Sequence, residues 1–399
     1  MLKREKGLTN WIVYAIIILY DQKGKRSMGN QVILEERVLE VLKRFAIAGE
    51  YSHFEVIQSG HINETYKVYF YRGGELKDYI LQRVNTYVFK DPVAVMGNIS
   101  TVTEYIRAKI KATGISAKRF VLHYQKAKDG KYYTILPNGE FWRCCRFIDD
   151  SVSFMEAENA KIAEESGRAF GKFQMYLADY PVKDLHIAIP HFHNTVNRYQ
   201  IFKDAIENDF AGRKASVQAE IDGYLALEEM ATRLYKMQRA GDLPLRVTHN
   251  DTKTSNVLFD AETQEHLSVI DLDTVMPGLV ACDFGDAIRI VGNTCGEDEK
   301  DLSKIEVDME KYEAFTRGFV DEVGSMLTQK EVDTLALGAF AMTVECGIRF
   351  LSDYLDGDKY FRIHYPEQNL DRARCHLTYA QKLLEKLDEM QQIVYKYVK

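Results

Sequence analysis

His249-Asn250-Asp251-Thr252-Lys253-Thr254-Ser255-Asn256, followed by Ser268-Val269-Ile270-Asp271-Leu272-Asp273, is the stretch on which the reading of this chain turns. The first part has the form H-x-D-x-K-x-x-N, and the second is an apolar run ending in a carboxylate. Asp251 and Asn256 stand five residues apart, and Asp271 follows Asp251 by twenty. Phosphoryl transfer needs one carboxylate near the attacking hydroxyl, and oxygen ligands for a Mg²⁺ ion that neutralises phosphate charge. Taken singly, Asp and Asn in polar loops serve as turn formers and caps. The set resists that reading. A strand-like segment at 245–248 enters the loop, 257–260 leaves it, and 267–270 delivers Asp271. The pattern points to a phosphotransferase.

At 399 residues the chain can bury a large core and is expected to split into two lobes. Its 46% hydrophobic and 28% charged residues are those of a globular protein, and its net charge of −7, with no basic stripe, argues against a nucleic-acid-binding domain. Cys144, Cys145, Cys282, Cys295, Cys346 and Cys375 form no C-x-x-C pair, so they read as reduced thiols and a cytoplasmic location is expected. Residues 11–20 are an apolar run after Lys3, Arg4 and Lys6, too short to span a bilayer and followed by no A-x-A cleavage site. No membrane partner is expected. Met28 opens an ordinary helical pattern, so 1–27 is expected to be an extension outside the fold. The expected lobes are 28–148, which covers the nucleotide, and 149–399, which holds the catalytic loop and acceptor pocket.

Residues 31–150 read as short strands and one helix: 54–58, 66–70 and 78–83, a helix over 91–112, and a hairpin about Pro137-Asn138-Gly139. From Ser153 onward helical periodicity dominates, at 156–178, 195–208, 216–240, 308–324, 330–355 and 368–396. A small antiparallel-sheet lobe followed by a mainly helical lobe is α+β.

The segment 58–66, with Gly60 and Asn63, joins two strands where a phosphate-covering loop belongs, although an ordinary hairpin turn would look the same. The strand 79–83 is where a phosphate-pairing lysine is expected, but it carries Gln82 and Arg83 instead. Adjacent strand residues point to opposite faces, so only one of them can serve. Glu104 on the next helix is a candidate partner for that cation, or a solvated surface acid. The strand ending at Phe147 and Ile148 would present backbone groups to a nucleotide base. Asp283-Phe284-Gly285 spells a known metal motif, yet Asp271 already fills that slot, so Asp283 is expected to be an N-cap or a loop brace.

The loop 249–256 with Asp271 resembles the aminoglycoside phosphotransferase/choline kinase superfamily. Longer strings resemble the N-acetylhexosamine 1-kinases within it: Gly60-His61-Ile62-Asn63-Glu64-Thr65-Tyr66, Ile80-Leu81-Gln82-Arg83-Val84-Asn85, Pro190-His191-Phe192-His193-Asn194-Thr195 with Arg198, and Glu345-Cys346-Gly347-Ile348-Arg349-Phe350-Leu351-Ser352-Asp353-Tyr354. The resemblance spans about residues 30–390 and implies a two-lobed, protein-kinase-like fold. It implies ATP as co-substrate, Mg²⁺, a small sugar as acceptor, and a monomer or weak homodimer. Asp251 would be the base at the sugar's C1 hydroxyl, and Lys253 would meet the γ-phosphate. Asn256 and Asp271 would hold the metal, with Asp273 assisting metal or sugar. Arg349 and Tyr360 would line the sugar pocket. Arg349 lies in a run apolar enough to be buried, so its guanidinium needs either Glu345 or a ligand. His193 and Arg198 are further substrate candidates, and Asn194 is equally a helix cap. Choline, homoserine or aminoglycoside phosphorylation, and nucleotide binding without turnover, are the competing readings.

Overall fold

The computed structural model describes residues 28–57 and 62–398. The expected extension 1–27 and the expected loop residue Gly60 lie outside them. Helix α1 (Met28–Leu42) precedes a five-stranded antiparallel sheet. Its order is β1 (Glu50–Ile57), β2 (Glu64–Arg72), β3 (Glu75–Arg83), β5 (Phe141–Arg146) and β4 (Thr134–Ile135). Gly73 and Gly74, at φ 61° and 82°, make the two-residue turn that folds β2 onto β3. One face of the sheet packs Val68, Leu81, Trp142 and Cys144 against Val38, Val41 and Phe45 from and just beyond α1. Helix α2 (Pro92–Ala112) begins as its sequence demands, with Asp91 Oδ1 accepting from the Ala94 amide at 2.9 Å and proline at the first helical position.

The second lobe is built of β6 (Ser151–Val152), α3 (Ala160–Tyr176), α4 (Thr195–Asn208), α5 (Gln218–Ala226), α6 (Glu228–Ala231) and α7 (Arg233–Arg239). Then come β7 (Arg246–Thr248), β8 (Val257–Asp260), β9 (His266–Val269), β10 (Met276–Gly278) and α8 (Val280–Val291). The chain ends in α9 (Met309–Val323), α10 (Gln329–Val332), α11 (Leu335–Asp356) and α12 (Gln368–Tyr397). The expected α+β architecture, sheet first and helices after, is the observed one.

Two expected helices are broken. Residues 216–240 form three short helices, with breaks at Leu227 and at Thr232, whose Oγ1 bonds back to the carbonyls of Glu228 at 2.7 Å and Glu229 at 3.2 Å. Residues 330–355 divide at Thr334, whose hydroxyl likewise bonds back to Lys330 at 2.9 Å and Glu331 at 3.0 Å. Helix α11 is apolar nearly all round, and it is the one helix among the described residues long and apolar enough to cross a membrane. Here it is buried inside the helical core, which satisfies the same composition. It crosses α8 at backbone contact: a Cβ on Gly338 would sit 1.9 Å from the Ala281 carbonyl oxygen, and one on Gly285 would sit 2.1 Å from that of Gly338. All six cysteines are free, four of them buried. A second apolar cluster joins α2 residues Val95, Ile99 and Val102 to Leu272 and Val275, so the two lobes share a core directly behind Asp271.

Candidate active site

Strand pairing brings the motif together. β7 enters the loop and pairs with β10, so Thr248 lies opposite Met276. β8 leaves the loop and pairs with β9, so Val257 lies opposite Val269. One step beyond that rung the Ile270 amide donates to the Asn256 carbonyl at 2.9 Å, which sets Asn256 beside the chain that ends in Asp271. The loop itself is braced from α8. Asp283 Oδ2 accepts from the His249 amide at 2.8 Å and from Gln174 Nε2 at 2.6 Å, and Oδ1 accepts from the Asn250 amide at 2.7 Å. Those bonds hold Asn250 in the left-handed region at φ 64°. Asp286 Oδ2 accepts from the Thr252 amide at 2.9 Å. Asp283 is therefore a loop brace, as expected, but it is no N-cap: it lies inside the first turn of α8, whose cap position is Leu279. Burial pushes its carboxyl pKa up, and the bonds from His249, Asn250 and Gln174 pull the other way.

The catalytic candidates converge on one point. Asp251 Oδ2 lies 3.0 Å from Lys253 Nζ and accepts from Asn256 Nδ2 at 3.0 Å, while the same amide donates to the Asp251 carbonyl at 2.8 Å. Asn256 thus spends its NH₂ on Asp251, leaving its carbonyl oxygen as the group for a cation. Asp271 is held at φ 59° at the mouth of the cleft. Enclosure, then the charges of Asp273 and Asp251, push its carboxyl from 3.8 up to about 6. Burial opposes the charge on Lys253, but Asp251, Asp271 and Asp286 outweigh it and hold its pKa above the ordinary value. The Asp271 carboxylate and the Asn256 carbonyl oxygen are hard oxygen donors of the kind a divalent cation such as Mg²⁺ takes, although no cluster of three or more acidic, histidine or cysteine ligands forms among the described residues.

The small lobe differs more from expectation. Arg83 faces away from the cleft, paired with Glu64 and, at 3.4 Å, with Glu140. Gln82 is the cleft-side residue: its Oε1 accepts from Arg143 Nε at 2.9 Å and its Nε2 donates to Thr65 Oγ1 at 3.2 Å. Arg143 is the residue that sequence reasoning missed. It is 2% exposed and grips Asp273 with both terminal nitrogens, the Nη2–Oδ2 bond measuring 3.0 Å. Its signal was available, since an arginine in the otherwise buried run Phe141-Trp142-Arg143-Cys144-Cys145 demands a partner. Asp273 Oδ2 also accepts from Asn63 Nδ2 at 2.8 Å, so Asp273 sits in an ion pair between the lobes. Glu104 turns to Arg107 at 3.6 Å and meets neither Gln82 nor Arg83. Just beyond β5, where base contacts are expected, the Phe147 amide donates to the Asp78 carbonyl at 3.0 Å and the Ile148 carbonyl accepts from Ser151 Oγ at 2.6 Å. Two of the backbone groups expected to meet a base are thus bonded within the protein.

On the acceptor side, His193 bridges two elements rather than standing open. Its Nδ1 meets Glu345 Oε1 at 2.9 Å and its Nε2 meets the Asn250 carbonyl at 3.2 Å, next to Asp251. Burial opposes protonation of this ring, yet Glu345 outweighs it and its pKa is raised, while His193 and Thr195 hold Glu345 low despite burial. Asn194 is a helix cap, accepting from the Asn197 amide at 3.0 Å. Arg198 donates to the Phe192 carbonyl at 2.8 Å, and its buried Nε has no partner among the described residues. Burial and the neighbouring Arg349 lower its pKa. Arg349 has no carboxylate within ion-pair distance among the described residues; its guanidinium stands 5.5 Å from the Phe361 ring. Glu345 is spent on His193 and Thr195, so the intrahelical partner expected for Arg349 is engaged elsewhere. Tyr360 is 74% exposed on a loop whose amides at Lys359, Tyr360 and Phe361 all donate to Asp353, at 2.9, 2.8 and 2.9 Å.

With this geometry in hand, residues 53–301 match the profile of the phosphotransferase enzyme family. Among solved structures, a microcompartment-associated aminopropanol kinase aligns with a TM-score of 0.58 at 14% identity, covering 91% of this chain and 99% of that one. A spectinomycin phosphotransferase bound to ADP and spectinomycin aligns at 0.54 and 15% identity, covering 88% and 98%. A choline kinase from Cryptosporidium parvum aligns at 0.53 and 14% identity, covering 91% and 99%. Likeness at such identity is a likeness of fold.

Proposed function

The chain belongs to the phosphotransferase enzyme family, and we propose that it transfers the γ-phosphoryl group of ATP to the anomeric hydroxyl of an N-acetylhexosamine, N-acetylglucosamine or N-acetylgalactosamine, giving the sugar 1-phosphate. The observation that carries this choice of acceptor is the state of the charged groups around Arg349. An aminoglycoside needs open carboxylates, and choline needs an open aromatic cage. Here Glu345 is committed to His193 and Thr195, Asp353 to three backbone amides and Asn369, and Asp358 to Arg213 and Asn369. Tyr354 is covered by Arg213 at 4.4 Å. Of the acids in this region Asp356 alone has no partner among the described residues, a single carboxylate against the available Arg349 and Arg198. Two guanidiniums repel a cationic acceptor and suit a neutral one rich in hydroxyl and carbonyl oxygens.

In this reading Asp251 accepts the proton of the C1 hydroxyl as its oxygen bonds to the γ-phosphorus and the bond to the β-phosphate oxygen breaks, releasing ADP. An anomeric hydroxyl is more acidic than an ordinary alcohol, so a carboxylate base suffices. Asn256 holds Asp251 in place through its NH₂, and Lys253 passes from Asp251 to the γ-phosphate. Asn256 and Asp271 would hold Mg²⁺, which neutralises phosphate charge when bound. Arg349 and Tyr360 orient the sugar. Incubation with ATP, Mg²⁺ and a panel of hexosamines, choline and aminoglycosides tests this, with Asp251→Asn as control. An acid-labile, alkali-stable sugar phosphate from an N-acetylhexosamine is expected; turnover only with an amino alcohol or aminoglycoside, or none at all, would sink the assignment.

A further inference from the structure

The cleft-facing rung of the small-lobe sheet runs Thr65, Gln82, Arg143, one residue from each of three adjacent strands in register. Hydrogen bonds link them in that order, at 3.2 Å and 2.9 Å. The rung ends on Asp273, two residues beyond Asp271, through a two-pronged pair whose side chains are 3% and 4% exposed. Asn63 closes the circuit. Its Nδ2 donates to Asp273 Oδ2 at 2.8 Å, and its Oδ1 accepts from the Asn85 amide at 2.9 Å. One carboxylate in the catalytic lobe thus gathers the entry to β2, the exit of β3 and the middle of β5.

We propose that Arg143, Asp273 and Asn63 form a latch between the lobes, which fixes the small-lobe sheet over Asp271 and so positions the nucleotide in a chain that carries Gln82 rather than a lysine at the cleft-facing position of β3. Arg143 spends its Nε on Gln82 and both terminal nitrogens on Asp273. Two N–H donors of the guanidinium remain, but drawing it away to a phosphate would leave the buried Asp273 carboxylate with Asn63 alone and no charge partner, which is strongly disfavoured. Its role is therefore positional. Asp273 likewise spends three of its roughly four lone-pair sites on Arg143 and Asn63, so in this reading metal binding falls to Asn256 and Asp271. The inference rests on the nucleotide-dependent reading above.

The test uses the full chain with Asn63→Ala, Asp273→Asn and the double variant. ATP, acceptor and Mg²⁺ are varied separately. Removing one hydrogen bond to a charged group should raise KM for ATP about tenfold in Asn63→Ala, with KM for the acceptor within about twofold. Asn63→Ser, which restores a donor, should recover part of the loss. The double variant should be no worse than Asp273→Asn, because both changes cut one circuit. Asp273→Asn should leave the Mg²⁺ concentration for half-maximal rate unchanged; a rise of about tenfold or more marks Asp273 as a metal ligand and overturns the latch. Should Asp273→Asn not fold, Asn63→Ala decides alone, since it leaves the ion pair whole. Unchanged KM for ATP in Asn63→Ala overturns the latch while the kinase reading stands. Wild-type protein that binds no ATP overturns that reading, and the latch with it.

Discussion

Asp283→Asn separates bracing from metal binding at the one motif that invites confusion. The carboxylate is 1% exposed and accepts three hydrogen bonds, from the His249 and Asn250 amides and from Gln174. An asparagine there keeps one acceptor oxygen and turns an NH₂ toward at least one N–H. One or two charge-assisted bonds are lost, at about 1.5–3 kcal/mol each. Removing a charge whose burial is unfavourable, as the raised pKa of Asp283 records, offsets part of this. A net loss of roughly 2–3 kcal/mol is expected, a large fraction of the 5–15 kcal/mol that holds a typical domain. Because the two amides immediately precede Asp251, their release should also lower kcat by about 10–100-fold through misplacement of the proposed base. Urea denaturation with steady-state kinetics at several Mg²⁺ concentrations measures both effects. Undiminished stability, or activity restored by excess Mg²⁺, would refute the reasoning and return Asp283 to the metal site.

Three further outcomes are expected. Asp271 must be ionised to hold a cation, and its carboxyl stands at about 6. Cation affinity should therefore fall as pH drops through about 6, and Mg²⁺-dependent kcat/KM should show a rising limb there that Asp271→Asn abolishes along with activity. Burial and Arg289 lower His376 from 6.5 to about 4. The unfolded chain takes up this proton before the folded one, so stability is intact above about 6.5 and is lost as pH falls toward 4, by about 3 kcal/mol in all; denaturation curves of His376→Gln should be flatter across that window. Gly338→Ala places a methyl 1.9 Å from the Ala281 carbonyl oxygen and must separate α8 from α11. It should lower stability by about 3 kcal/mol or more, and a thermal midpoint within 2 °C of wild type, roughly the measurement scatter, would contradict that close crossing.

Local signals in the chain were enough for the family motif at 249–256, for α2 with its Asp91-Pro92 start, and for α4, whose expected span 195–208 is the observed one. Caps, periodicity and motif spacing act within a few residues, so they can be read without knowing the fold. Strand alternation likewise required that only one of Gln82 and Arg83 face the cleft. It could not say which, because that depends on register: Gln82 lies opposite Arg143, while Arg83 meets Glu64 and Glu140. Arg143 and Asp273 are 130 positions apart, and nothing near either one announces the other. The same holds for Glu345, Asp353 and Asp358, which look like open acids in the sequence and are occupied in the fold by His193, by the 359–361 amides and by Arg213. The sequence by itself determined the class of chemistry, since that depends on residue types at short spacing. Tertiary structure alone decided which charges remain available to a ligand, because a charge is neutralised by whatever packs against it, however distant along the chain.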